Sequence, residues 1–195
     1  MEPKIPSDKE IALLYRRYHT PPHVQAHCRV VAELATELGM KFIAKGVNIN
    51  VPLLRSSALL HDFVRVVDFK TFEPHTFPTK PTDEDVRVWQ ELREKYRGMH
   101  HADAAYDLLF KQYPAVADLI LKHKFLQIEK GFETWEEKIL FYSDKRVKHD
   151  QIAPLASRLE DGRRRNAPET FDTEKAAELD RKVFELEREI FTKIG

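Results

Sequence analysis

A histidine and an aspartate stand side by side at the end of an apolar run. His61 and Asp62 follow residues 53–60, most of which are apolar, so the pair is expected at a helix end where water is scarce. Their side chains leave the helix in different directions, yet both can reach one metal centre there. A buried imidazole or carboxylate without a partner costs several kcal/mol. We therefore expect this pair to bind a partner, and a metal ion suits both groups.

Four more imidazoles or carboxylates are predicted to lie on apolar helical faces. They are His27, His101, His123 and Asp144. Apolar residues stand three, four or seven positions from each of them, the spacing that places side chains on one face of a helix. A shared site would give all six residues a partner at once. The set predicts one or two divalent metal ions, with Fe, Mn, Co, Ni, Zn and Mg as candidates. The lack of a second cysteine excludes a structural zinc finger.

Each residue also has an ordinary structural interpretation. Taken alone, His27 is interpreted as a core histidine bonded to a backbone carbonyl. For Asp144 a buried salt bridge is the less favoured alternative, because a buried aspartate is rare unless it is paired or metal-bound. His101 could be a solvated histidine at a helix start, and its neighbour His100 competes with it for the position of the ligand. Because His101 is in better helical register with the apolar residues that follow, it is the predicted ligand.

The composition excludes several classes of protein. The 195 residues include 32 basic and 32 acidic side chains, so no global charge attracts nucleic acid or a membrane surface. Cys28 is the only cysteine, which predicts a buried structural thiol in a reducing compartment rather than a disulfide framework. The N-terminal residues form no apolar signal segment, and no run approaches the ~20 apolar residues of a membrane span. We expect a cytoplasmic protein.

Capping signals define the helices of the N-terminal part. Ser7 with Glu10 predicts a capping box that opens a short first helix. Thr20, which precedes a proline, predicts the N-cap of a second and much longer helix. Gly46 predicts the end of that long helix. The chain is therefore expected to begin with two consecutive helices.

The remaining segments complete an all-α prediction. Three prolines between residues 68 and 82 predict a loop, and residues 151–166 are predicted to form a further helix. No convincing alternating pattern predicts a strand. Residues 1–166 are expected to form one helical domain, and residues 167–195 a linker followed by a charged C-terminal helix.

The ordered set of six residues resembles that of the HD-domain superfamily of metal-dependent phosphohydrolases, and is similar to that of HD-type dinucleoside tetraphosphate hydrolases. The likeness extends from about Thr20 to Arg165, roughly three quarters of the chain. It is carried by segments 27–32, 58–62, 101–106, 121–123 and 137–145. The four ligands that the whole superfamily shares correspond to His27, His61, Asp62 and Asp144. The two extra histidines of its two-metal branch correspond to His101 and His123.

The resemblance implies an HD-domain helical bundle, extended here by an additional C-terminal helix, and a metal-dependent hydrolase. The reaction would cleave a phosphoester or phosphoanhydride of a nucleotide or a related small phosphorylated molecule. Asp62 would bridge two metal ions, and water activated by these ions would attack phosphorus in line. The other ligands would divide between the ions, with His27, His61 and Asp144 on one and His101 and His123 on the other.

Basic residues that stand near these ligands in the sequence are predicted to act on the phosphates. The catalytic group is assigned as Asp62, Arg65 and Lys145, and the substrate-binding group as Arg65, Lys122, Lys124 and Arg146. Arginine is favoured for bidentate contacts with phosphate oxygens. The alternative for any single one of these residues is ordinary solvated surface.

The sequence departs from the superfamily directly after the His-Asp pair. Members often have a small residue, glycine and lysine there, or a glutamate that serves as an acid, whereas this chain has Phe63, Val64 and Arg65. Arginine is a poor proton donor because its guanidinium does not lose a proton in proteins. Residues 63–98 are also longer than the equivalent segment of compact members, and they are expected to form a lid insertion that sets substrate choice.

Two other functions are compatible with the same pattern. The six-ligand arrangement also resembles that of HD-type di-iron oxygenases, in which O2 binds one iron. A second alternative is a non-catalytic, metal-stabilised module that binds a nucleotide. The apolar positions of the C-terminal helix, among them Phe184, Leu186 and Ile190, would pack on the domain or form a homodimer contact, since so charged a helix requires a packed face.

Overall fold

The chain folds into α-helices joined by short turns, which confirms the all-α prediction. The computed structural model describes residues 3–166 and 173–195, and these contain ten α-helices, two short 3-10 helices and one two-stranded sheet. The α-helices are α1 (Asp8–Arg17), α2 (Pro22–Ala44), α3 (Val51–Leu60), α4 (Asp83–Lys95), α5 (His101–Leu109), α6 (Pro114–Leu121), α7 (Gln127–Lys130), α8 (Trp135–Arg146), α9 (Leu155–Asn166) and α10 (Thr173–Ile194). Within the described ranges, no helix combines the length and apolar character that a bilayer crossing requires.

The first two helices begin and end close to the predicted signals. Ser7 and Glu10 form both hydrogen bonds of the capping box at the start of α1, and Gly46, with φ of 77°, follows the end of α2. The prediction for Thr20 is wrong, because α2 begins at Pro22 with Pro21 as its N-cap. The Thr20 hydroxyl instead donates a hydrogen bond of 2.7 Å to the carbonyl of Phe63, which ties the start of α2 to the segment after α3.

Helix α3 runs through the interior against α2 and α6. Leu54, Ala58 and Leu60 are fully buried. At the crossing with α2, a Cβ on Gly39 would lie 3.2 Å from a methyl group of Leu54, so a larger residue would push the two helices apart. Because α3 is buried on nearly all sides, the residues that follow it, His61 and Asp62, are also held away from water.

The segment between α3 and α5 contains little regular structure before α4. Two 3-10 helices, Arg65–Asp68 and Pro74–Thr76, interrupt the predicted loop. Trp89 of α4 is 2% exposed and donates a hydrogen bond of 2.8 Å to the carbonyl of His19. This contact anchors α4 to the turn between the first two helices. The expectation that residues 63–98 act as a lid stays a prediction.

A small β-hairpin occupies part of a predicted helix. Strands β1 (Val147–Lys148) and β2 (Gln151–Ile152) pair antiparallel, and α9 begins only at Leu155. The prediction of a helix from residue 151 is therefore wrong at its start. The turn requires a left-handed backbone at His149, with φ of 57°, and each strand is too short to show an alternating pattern in the sequence.

Helix α10 packs against the rest of the chain. Val183, Leu186 and Ile190 are buried against a surface that includes α2, α7 and α8. Ionic contacts frame this apolar stripe, for example the pair between Lys138 and Glu189. The structure therefore supports the first of the two expectations for this helix, packing on the domain. The predicted linker at residues 167 and 168 lies outside the described residues.

Replacing Ile190 with alanine should destabilise the fold, because its side chain is fully buried. Removal of a buried isoleucine side chain typically lowers the free energy of unfolding by about 3 kcal/mol. Denaturant unfolding measures the change. Met40→Ala is the matched control, since Met40 is 54% exposed on α2. Equal stability losses in the two variants would contradict the packing of α10 on the core.

Candidate metal centre

The six predicted ligands converge at the junction of the buried helices. His27 comes from the second turn of α2, and His61 with Asp62 directly follows α3. His101 opens α5, His123 follows α6, and Asp144 lies near the end of α8. All are buried except His27, whose side chain is 13% exposed. The burial that brings them together also makes a shared partner necessary.

Three of the residues form a first ligand group. The Nε2 atom of His27 lies 3.2 Å from Oδ1 of Asp144, and Nε2 of His61 lies 3.7 Å from the same oxygen. Ligand atoms that share an ion at ~2 Å are separated by about 3 Å from one another. The group of His27, His61 and Asp144 could therefore hold a metal ion.

Asp62, His101 and His123 form a second group. Nε2 of His101 lies 2.8 Å from Oδ1 of Asp62, and Nε2 of His123 lies 3.6 Å from it. The two Nε2 atoms are themselves 2.9 Å apart. This second group could also hold a metal ion.

Asp62 lies between the two groups. While its Oδ1 faces His101 and His123, its Oδ2 lies 3.7 Å from Nε2 of His61 and 4.0 Å from Nε2 of His27. Each oxygen of one carboxylate therefore faces a different set of imidazoles, the orientation that a ligand shared by two ions requires.

Each of the four histidines is held through its Nδ1 atom by a hydrogen-bond acceptor. The acceptors are the carbonyl of His149 for His27 at 2.8 Å, the carbonyl of Ala58 for His61 at 2.7 Å, the carboxylate of Asp68 for His101 at 2.5 Å, and the carbonyl of Ile120 for His123 at 2.6 Å. Because carbonyl and carboxylate oxygens accept, each Nδ1 donates its proton. In the neutral ring the Nε2 atom then carries a lone pair, which is the tautomer of a histidine that binds metal through Nε2.

In these neutral tautomers the Nε2 atoms turn electron pairs toward the interior of the cluster. The Nε2 atoms of His101 and His123 then face each other across 2.9 Å with a lone pair each, and Nε2 of His61 is buried with no hydrogen-bond partner among the described residues. A buried polar atom without a partner is costly, and cations satisfy several such atoms at once. The donor set of nitrogen and oxygen suits Mn, Fe, Co, Ni or Zn. These residues fit a metal centre.

The charges around the cluster favour ionised carboxylates. Burial alone would raise the pKa of Asp62, but the positive charge of Arg65 and the contacts with His61 and His101 hold this pKa well below its usual range. Burial lowers the pKa of His123 to about 4, although the nearby carboxylate of Asp62 acts in the opposite direction. Carboxylates that are ionised and imidazoles that are neutral are the forms that bind metal.

Two of the predicted basic residues contact the cluster directly. The Arg65 guanidinium donates to both oxygens of Asp62, at 3.2 and 3.0 Å, and its side chain is 38% exposed. Lys145 is buried and binds Asp144 and the carbonyl of His123. Arg65 thus lies at an open side of the cluster, and Lys145 lies inside.

The other three basic residues lie outside the cluster. Lys124 is paired with Asp103 of α5, and the side chain of Lys122 makes no hydrogen bond or ion pair with another described residue. Arg146 binds the Tyr142 hydroxyl, the carbonyl of Ala153 and Glu187, so it joins α8 to the hairpin and to α10. None of the contacts of Arg146 reaches a ligand, and they correspond to a structural role rather than to the predicted substrate binding.

Sequence reasoning did not find two residues that orient the ligands. Asp68, which bonds His101, stands in a stretch that predicts only a loop. His149 contributes its backbone carbonyl, which no side-chain pattern can reveal. The structure also shows that His100 and His101 have different roles. His100 caps α5 by accepting a hydrogen bond of 3.1 Å from the backbone N–H of Ala102, while His101 turns inward.

Removing the orienting carboxylate should weaken metal binding without abolishing it. In an Asp68→Ala variant, His101 loses the acceptor that fixes its tautomer, and the loss of such a partner typically lowers metal affinity about 10- to 100-fold. Competition with a chelator of known affinity measures the change. Asp68→Asn keeps an acceptor oxygen and should retain more affinity. An unchanged affinity in the alanine variant would show that Asp68 does not orient the ligand.

The fold and the site define an all-α protein with a buried histidine and aspartate cluster that could hold metal ions. No model of a known protein family, no curated protein and no solved structure matches the chain. The arguments for its function therefore come from the cluster itself.

Proposed function

We propose that this chain is a metal-dependent phosphohydrolase of the HD type. The observation that carries the proposal is the pair of three-residue ligand groups that meet at Asp62. Their composition and order along the chain agree with the ligand set that the resemblance implies. Two adjacent cation sites are typical of enzymes that catalyse in-line displacement at phosphorus.

The chain's own residues would divide the work between binding and orientation. His27, His61 and Asp144 would hold one ion, and Asp62, His101 and His123 the other. When bound, such ions lower the pKa of water and stabilise negative charge on phosphoryl oxygens. The Nδ1 hydrogen bonds keep each imidazole oriented before the ions arrive, so the ligand geometry is formed in advance.

Arg65 and Lys145 have different roles in this proposal. Arg65 is partly exposed beside Asp62, so its guanidinium can hold a phosphoryl oxygen of a substrate in a bidentate manner. Lys145 is buried against Asp144 and keeps that carboxylate ionised and in place. Arg65 does not lose its proton, and the leaving group would therefore take its proton from water.

The substrate in this proposal is a small phosphorylated molecule, with nucleotides as the first class to test. The ligands are held within the helical interior, and Arg65, beside Asp62, has a side chain that is 38% exposed. In this proposal, a phosphate with a small organic group would approach the ligands beside Arg65. The balanced charge of 32 basic and 32 acidic residues gives no general attraction for nucleic acid.

The direct test begins with metal analysis of the purified protein. A panel of phosphomonoesters, nucleotides and dinucleoside polyphosphates is then assayed with Mn, Fe, Co, Ni and Mg. We expect metal-dependent release of phosphate or of a nucleoside phosphate, in air and under anaerobic conditions alike. Turnover that requires O2 would indicate the oxygenase instead, and tight nucleotide binding without turnover would indicate the non-catalytic module.

A further inference from the structure

His100 has the opposite tautomer to the four histidines of the cluster. Its Nδ1 atom accepts a hydrogen bond of 3.1 Å from the backbone N–H of Ala102, so Nδ1 carries no proton. An imidazole with one bare nitrogen is neutral and has its proton on the other nitrogen. His100 therefore presents an Nε2–H donor, whereas the ligand histidines present Nε2 lone pairs.

The ring of His100 lies directly beside the second ligand group. Its centroid is 4.0 Å from that of His101 and 6.1 Å from that of His123. A ring nitrogen of His100 also lies within 4.8 Å of a carboxylate oxygen of Asp68 and a ring nitrogen of His101. The ring thus forms part of the rim of the cluster.

The Nε2–H group of His100 has no hydrogen-bond partner among the described residues. The ring is not buried, in contrast to that of His101. The second ligand group is also contacted by Arg65, whose guanidinium donates to both oxygens of Asp62. A neutral N–H donor and a partly exposed guanidinium therefore both border this group. Both groups only donate, so together they suit a ligand that only accepts.

We propose that His100 is a substrate-binding residue whose Nε2–H donates to a phosphoryl oxygen of the bound substrate. This role rests on the proposed phosphohydrolase function, because it requires a phosphate above the ligand groups. It adds one specific contact to that function, made by an N-cap histidine that the helix it caps fixes as a hydrogen-bond donor.

The test measures binding of inorganic phosphate to the manganese-loaded protein by titration calorimetry. His100→Ser keeps a good N-cap residue but cannot reach a ligand, and His100→Asn keeps both a cap acceptor and an N–H donor. We expect the serine variant to bind phosphate about tenfold more weakly, the size of effect typical of a hydrogen bond to a charged group. The asparagine variant should recover part of that loss, while metal content and melting temperature stay at wild-type values in both.

The outcomes separate this inference from the proposed function. Phosphate binding that is equal in the wild type and the serine variant, or absent from the wild type, overturns the inference. A loss of metal from the serine variant also overturns it, because His100 would then support the metal. Weaker phosphate binding in that variant, together with no turnover of any phosphoester, would uphold the contact and reject the phosphohydrolase.

Discussion

Replacing Asp62 with alanine is expected to abolish metal binding and phosphoester turnover together. Its two oxygens face two different groups of imidazoles, with Oδ1 2.8 Å from Nε2 of His101 and Oδ2 3.7 Å from Nε2 of His61. One substitution therefore removes a ligand from both groups. Loss of an orienting partner alone costs about 10- to 100-fold in metal affinity, so loss of a shared ligand should exceed that. Elemental analysis and the phosphoester panel measure the two effects.

The controls distinguish loss of the centre from loss of the fold. Asp118→Ala removes an exposed carboxylate from α6 and should keep both metal and activity. Asp62→Asn keeps the size of the side chain, and its amide can donate to the Nε2 lone pair of His101. Asp62→Asn should therefore be as stable as the metal-free wild type, but it should bind no metal when metal is added. Wild-type turnover in Asp62→Ala would rule out the proposed mechanism.

Removal of the metal should lower the free energy of unfolding by several kcal/mol. A ligand that binds only the folded state stabilises it by about 4 kcal/mol when its free concentration is about 1,000 times Kd. In this protein the reason is local, because without metal Nε2 of His61 has no partner in the described part of the chain and two imidazole nitrogens lie 2.9 Å apart. Thermal and denaturant unfolding, with and without a chelator, measure the difference.

The same experiment has an internal control. In Asp62→Asn, stability should respond little to either chelator or added metal, since the shared ligand is gone. Adding metal back to the metal-free wild type should restore its original stability, because metal binding stabilises the folded state reversibly. Identical unfolding curves for the stripped and loaded wild type would mean that the cluster binds no ion in the folded protein.

The six predicted ligands come together because each lies on an apolar helical face or directly beyond its end. The neighbours of His123 at Val116 and Ile120 are fully buried, and a helix that buries those residues also turns the histidine inward. His61 and Asp62 follow the same logic at the end of α3. Local spacing was therefore enough to predict that these six side chains face the interior.

Other parts of the site depend on contacts between segments distant in sequence. Asp68 is 33 residues from His101, and the carbonyl that holds His27 belongs to His149, 122 residues away. The wrong prediction of an N-cap at Thr20 has a similar cause, since Thr20 is drawn from that position by a bond to Phe63. Arg146 is likewise engaged by the hairpin and by α10 rather than by the cluster.

The amino-acid sequence by itself determined the helical class, several helix ends and six of the polar residues that face the interior, because capping and helical periodicity act over a few neighbouring positions. Only the tertiary structure decided which nitrogen of each imidazole faces inward, and which residue holds the opposite nitrogen. The reason is physical: a tautomer is set by the hydrogen-bond acceptor on the far side of the ring, and for His27 and His101 that acceptor comes from a remote segment brought close by helix packing.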